Sequence, residues 1–124
     1  VTLRDVKDIL DAEVVIGEDQ LDRKIEAGAS ADLMSDVLAF AKSGALLLTG
    51  LTNPQVVRTS DILDIAAIVI VRGKRPPVET IRLAEELHIP VLLTQYILYE
   101  AVGRLYAEGI CGCVEKVGSQ SEIS

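Results

Sequence analysis

The sequence predicts an α/β domain with a mostly parallel sheet flanked by helices on both faces. Three observations carry that prediction. The runs "ALLLTG", "AIVIV" and "VLLT" are continuously oily. A strand with one wet face alternates, whereas a strand covered on both faces is apolar throughout. Between these runs lie segments of helical period, and the strand-helix unit recurs every two dozen residues or so, the spacing of right-handed βαβ crossovers. Finally, 49% of the residues are apolar, with one Phe, three Tyr and no Trp among 124 residues. That is enough chain for one domain with an aliphatic core.

Taken in order, Thr2 reads as the N-cap of a first helix whose Leu3, Val6, Ile9 and Leu10 share a face. "EVVIG" reads as a strand ending at Gly17, "EDQLD" as a turn, and "KIEAGASA" as a second strand. The first two strands are expected to pair as a hairpin-like unit. "ADLMSDVLAFAK" is helical, with Leu33, Val37 and Phe40 on one side. The strand from Ala45 leads into the helix "PQVVRTSDILD", and the strand from Ala67 into "PVETIRLAEELH". The strand from Val91 leads into "ILYEAVGRLYAEG". In the penultimate helix Thr80, Leu83, Ala84 and Leu87 form the inner face; in the last, Leu98, Ala101, Val102 and Leu105 do. Glu100, Arg104 and Glu108 stand at i, i+4 spacing on the wet side. Residues 1–110 are expected to form the single domain, and 111–124 a flexible C-terminal tail without periodicity.

The net charge of −7 argues against nucleic acid and anionic membrane surfaces as partners. No apolar run is long enough to span a bilayer, and "VTLRDVKDIL" has no signal-like apolar core, so a cytoplasmic location is the expectation. The single histidine, His88, falls at a helix end, so no Ser-His-Asp set assembles and no catalytic residue is assigned. Cys111 and Cys113 supply half of a tetrahedral metal site, and no other Cys or nearby His completes it; a dimer could pool four thiolates, but a plain reduced pair is the expectation, with neither metal nor cofactor.

Ligands of open α/β sheets bind at the carboxyl ends of strands, which singles out three corners. In "TGLTNP", Asn53 before Pro54 is helix-start chemistry, a capping side chain followed by a residue whose missing N–H costs nothing there. Thr49, Gly50 and Thr52 are not explained that way, and Arg58 lies one helical turn further on. Free N–H groups and hydroxyls at such a corner suit an anion. In "RGKRPP", Arg72, Gly73, Lys74 and Arg75 concentrate three positive charges in an acidic protein, either as a solvated loop or as a grip on phosphate or carboxylate. The third corner, "TQY", contributes Thr94. Neither a Walker loop nor GxGxxG is present.

The segments "LRDVKDILDAEVVIGEDQLDRKI", "ADLMSDVLAFAKSGALLLTGLTNPQVVRTSDILDIAAIVIVRGKRP" and "HIPVLLT" resemble the DRTGG domain family, over residues 3 to about 109. The letters D-R-T-G-G are not present as such. "VRTSDI" stands in the place of the arginine-containing segment, and in "RGKRP" Gly73 keeps one glycine while Lys74 replaces the other. The resemblance implies a fold similar to the N-terminal domain of HPr kinase/phosphorylase. It also implies an accessory role, since such domains occur alone, in CBS-containing pyrophosphatases and beside phosphate acetyltransferase domains, with no established reaction of their own. Stand-alone relatives lie beside genes of iron hydrogenases and anti-sigma-factor-like kinases, which implies a redox-linked or regulatory protein partner.

Three functions are therefore weighed. The first is a non-catalytic, homodimeric regulatory domain sensing a nucleotide or phosphorylated metabolite. The second is a pure interaction module, with Tyr96, Tyr99 and Tyr106 at the interface or simply half-buried. The third, ranked last, is a small enzyme of phosphoryl or acyl-phosphate chemistry.

Overall fold

The three oily runs occupy the centre of one five-stranded sheet. The computed structural model of the protein describes residues 1–117. Its strands are β1 (Glu13–Ile16), β2 (Gly28–Ser30), β3 (Leu46–Thr49), β4 (Ala67–Ile70) and β5 (Val91–Leu93). The helices are α1 (Leu3–Ile9), α2 (Met34–Phe40), α3 (Pro54–Ile62), α4 (Val78–Glu86) and α5 (Leu98–Ala107). The strand order is β1-β5-β4-β3-β2. β2 through β5 run parallel, and β1 joins β5 antiparallel.

Every residue of β3, β4 and β5 is buried, and successive residues feed opposite layers. Leu46, Leu48, Ala67, Val69 and Leu92 pack with Leu3, Val6 and Leu10 around α1 and with Ala101 and Leu105 of α5. Leu47, Ile68, Ile70, Val91 and Leu93 pack with Val37 of α2, Val56 and Val57 of α3 and Ala84 of α4. Burying each of the larger aliphatic side chains stabilises by about 1.5–3 kcal/mol. A continuous oily run thus serves two cores at once. Leu33, expected on the inner face of α2, is instead 62% exposed, because the helix begins one residue after it.

The expected hairpin between the first two strands does not form: β1 and β2 are the two opposite edges of the sheet. The segment between them is committed to α1. Leu3 N–H donates to Arg23 O, Arg4 N–H to Leu21 O, and Ile25 N–H to Val1 O. Leu21 and Ile25 are buried in the α1/α5 core. With its backbone bonds and apolar side chains spent there, the segment crosses the domain rather than turning back on β1.

Local chemistry sets the helix ends. Thr2 caps α1 in a reciprocal box with Asp5. Four helices stop in the same way, with a left-handed residue after the C-cap and a 6→1 bond from the next N–H. The left-handed residues are Asp11, Asp64, His88 and Gly109. Ala12, Ile65, Ile89 and Ile110 donate the closing bonds and are themselves buried. His88 is therefore a helix terminator, as its position implied. Asn53 does occupy the N-cap of α3 with Pro54 behind it, but its side chain makes no capping hydrogen bond.

Of the expected tail, residues 111–117 are described and 118–124 lie outside the described residues. Gly28 N–H donates to Cys111 O and Cys113 N–H to Gly28 O, forming a single parallel bridge on the outer edge of β2.

Candidate functional site

Parallel β3, β4 and β5 end side by side, so the three polar corners meet on one rim. The helices α2, α3 and α4 all lie on one face, and the strand order advances one step at a time. The parallel strands therefore have no reversal point, and the site is an open rim of loops rather than a crevice between diverging ones.

The first corner is braced by a residue that sequence reasoning did not select. The carboxylate of Asp32, just past β2, accepts from Gly50 N–H at 2.8 Å and from the Thr49 hydroxyl at 3.1 Å. Thr49 Oγ1 in turn accepts from Leu51 N–H at 3.1 Å. Thr49 is fully buried, so its hydroxyl shapes the turn from within. Thr52 O accepts from the buried Thr80 hydroxyl at 2.7 Å, which fixes the loop to α4. Asp32 reads in sequence as part of a helix start. Only the adjacency of β2 and β3 reveals its role.

The second corner turns sharply. Arg72 and Gly73 are both left-handed, at φ 63° and 64°, and Lys74 N–H donates to Val71 O at 3.4 Å, the geometry of a type I′ turn. The turn is stitched to the third corner: Arg72 N–H donates to Tyr96 O and Gly73 N–H to Thr94 O, each at 2.9 Å. The Arg72 guanidinium lies over Gly50, where a Cβ would stand 2.5 Å from Nη2. Gln95 lies over Gly73 in the same way, with a Cβ there 2.5 Å from its Oε1. Two glycines thus admit two polar side chains against the backbone. Left-handed Gly73 is required twice, by the turn and by Gln95.

The remaining candidates separate. Lys74 is exposed, and among the described residues it makes no ion pair, nor does Arg72. Arg75 pairs with Glu13 of β1 at 2.6 Å, so its charge is partly answered. Arg58 projects from α3 and donates to Gln55 Oε1 at 3.2 Å rather than reaching back to the corner. Thr94 is fully buried; its hydroxyl donates to Leu10 O at 2.8 Å and accepts from Tyr96 N–H at 3.3 Å. Asn53 is exposed beside the rim.

The tyrosines divide as well. Tyr96 is half-buried, with the Arg104 guanidinium 4.2 Å from its ring centroid. Tyr99 is 87% exposed and Tyr106 63% exposed. Tyr106 lines a cavity of about 610 Å³ between α2, the outer edge of β2, α5 and the segment after it. That cavity takes in none of the anion-site candidates. The cavity is predominantly apolar, whereas the rim carries the polar and charged groups. Among the described residues no helix is long and apolar enough to cross a membrane.

Fold and rim together define a small three-layer α/β domain with polar loops at the carboxyl edge of its sheet. The chain belongs to the DRTGG domain family, whose model matches residues 5–107. A crystal structure of the CBS and DRTGG domains of the regulatory region of Clostridium perfringens pyrophosphatase, complexed with its activator diadenosine tetraphosphate, is similar over 84% of this chain, with a TM-score of 0.70 and 21% identity. The match spans 45% of that longer chain, and at this identity it establishes the fold. No curated protein matches the sequence.

Proposed function

We propose that the domain is a non-catalytic regulatory module that senses a nucleotide or phosphorylated metabolite at the rim formed by Gly50 to Asn53, Arg72 to Lys74 and Gln95. One observation carries the reading. Arg72 is held in a left-handed conformation, which costs a non-glycine residue about 1–2 kcal/mol, and its guanidinium lies over Gly50 without an acidic partner among the described residues. Strain of this kind collects where a side chain must be presented. A planar cation with five donors suits phosphate oxygens, and exposed Lys74 adds a second charge. The relative in Clostridium perfringens, a regulatory region complexed with a nucleotide activator, supports this class of ligand by analogy. The buried hydroxyls of Thr49 and Thr94 serve as scaffold in this reading, and Arg75 and Arg58 as peripheral charges.

Thermal denaturation with inorganic phosphate, AMP, ATP and diadenosine tetraphosphate tests it. A ligand at about 100 times its Kd stabilises by about 2.7 kcal/mol. Arg72→Ala should abolish that response. Absence of any shift at millimolar concentrations of all four compounds would remove the proposal.

Exposed Tyr99, Tyr106 and Ile97 favour a second, compatible reading, in which α5 mediates homodimerisation or docks a redox or regulatory protein of hydrogenase or energy metabolism in the cytoplasm. Sedimentation across a wide concentration range tests the dimer, and a strict monomer would exclude it.

A further inference from the structure

We infer that Cys111 and Cys113 form a chelating dithiol site for a soft monovalent metal ion such as Cu(I). The bridge between Gly28 and Gly112 holds the backbone on either side of Gly112, by the bonds from Gly28 N–H to Cys111 O and from Cys113 N–H to Gly28 O, both 2.9 Å. The bridge makes the chain extended at Gly112 itself, and residues on either side of an extended position project toward one face; the chain bends at Cys113 immediately afterwards. Cys113 is partly buried against the core cluster that includes Val37 of α2. Both thiols are free, and both line the 610 Å³ cavity. The only hydrogen bond either thiol makes among the described residues is a long contact from Cys111 Sγ to Gly109 O at 3.9 Å.

Geometry selects the chemistry. Residues two apart on a strand have Cα atoms about 6.6 Å apart. Two metal–sulfur bonds of about 2.3 Å span about 4.6 Å between sulfurs, a gap that inward rotation of the side chains closes. A disulfide needs sulfurs about 2.05 Å apart and Cα atoms usually within about 6.8 Å, with a mode near 5.5–6 Å. It would contract the segment and strain the Gly28 bridge, whereas the metal leaves the bridge in place. Among the described residues no third His, Cys, Asp or Glu joins the pair in a metal-holding group. Harder ions that require three or four protein ligands are disfavoured, and two soft thiolates favour Cu(I). Binding is coordination without redox change: two thiols lose two protons and the ion takes both sulfurs.

Anaerobic titration of the full chain with Cu(I), against a chelator of known affinity, tests the site. One ion per chain is expected. Cys111→Ser and Cys113→Ser should each weaken binding by roughly 100-fold or more, since each removes a partner held at millimolar or higher effective concentration. Melting curves of both variants, matching the parent without metal, keep the comparison valid. Cys111 is exposed, so its serine variant is the safer fold. Wild-type affinity in either variant overturns the inference. So does a ratio of one ion per two chains with metal-induced dimerisation, which would mean four thiolates shared by two protomers.

Discussion

Replacing Arg72 by glycine separates presentation of the guanidinium from stability of the fold. The parent residue sits at φ 63°, a conformation that costs about 1–2 kcal/mol for a side chain with a Cβ. Glycine removes that strain but carries about 0.5–1 kcal/mol more unfolded-state entropy. The backbone bond from Arg72 N–H to Tyr96 O survives the change, and the guanidinium makes no ion pair among the described residues. The balance is a variant about 0–1.5 kcal/mol more stable than the parent, or about 0–6 °C in Tm for a domain of this size. Urea denaturation and calorimetry measure it, and the same samples should show no response to nucleotide. Arg72→Ala keeps the strain and loses the charge, so it should be no more stable than the parent. A loss of more than about 1 kcal/mol in the glycine variant would refute the reasoning. The guanidinium would then be holding the corners together, and its placement over Gly50 would be structural.

Four further outcomes follow from the same geometry. Thr94→Val keeps the shape but leaves the buried Leu10 carbonyl and Tyr96 N–H without their partner; urea titration should show a loss of about 1–3 kcal/mol. Asp32→Ala removes the acceptor of Gly50 N–H and the Thr49 hydroxyl; a loss of about 1–2 kcal/mol is expected at a site that water reaches, with less in Asp32→Asn. His88→Gly should gain about 0–1.5 kcal/mol in stability by urea titration, because the left-handed terminator of α4 is exposed and its side chain makes no hydrogen bond among the described residues. Asp5 accepts from Thr2 N–H, and that bond holds its carboxyl below the ordinary range. A depressed folded value means its contribution is complete above the unfolded pKa of about 3.9 and is lost as the pH falls through the lower folded value. Asp5→Asn should therefore flatten the acid limb of the stability–pH profile, and an unchanged limb would show that the box carries no linkage.

Much of the architecture was legible because it rests on local rules. The continuous runs at Leu46, Ala67 and Val91 meant burial on both faces, and all three strands lie in the sheet centre. Thr2 was readable as a cap, Glu100 and Arg104 as an i, i+4 pair now at 3.1 Å, and His88 as a helix end. The pairing of β1 was not readable. Its partner, β5, lies far along the chain, and a short half-buried strand carries no signal for which edge it will join. The rim was half legible. Polar corners stood out by composition, but whether a hydroxyl faces the ligand side or the core depends on neighbours from other elements, such as Leu10 O against Thr94. Asp32 and Gln95 escaped notice because their contacts, to Gly50 and Gly73, cross between strands.

The sequence by itself determined the class of fold, the aliphatic two-sided core and the places where helices begin and end, since periodicity and capping act within one or two turns of chain. The tertiary structure alone decided which edge each outer strand took, which polar groups are spent on scaffold, and that Arg72 rests against Gly50 while Cys111 and Cys113 line one cavity. Those are matters of approach between distant segments, and hydrogen-bond and packing partners are chosen only when the sheet has closed.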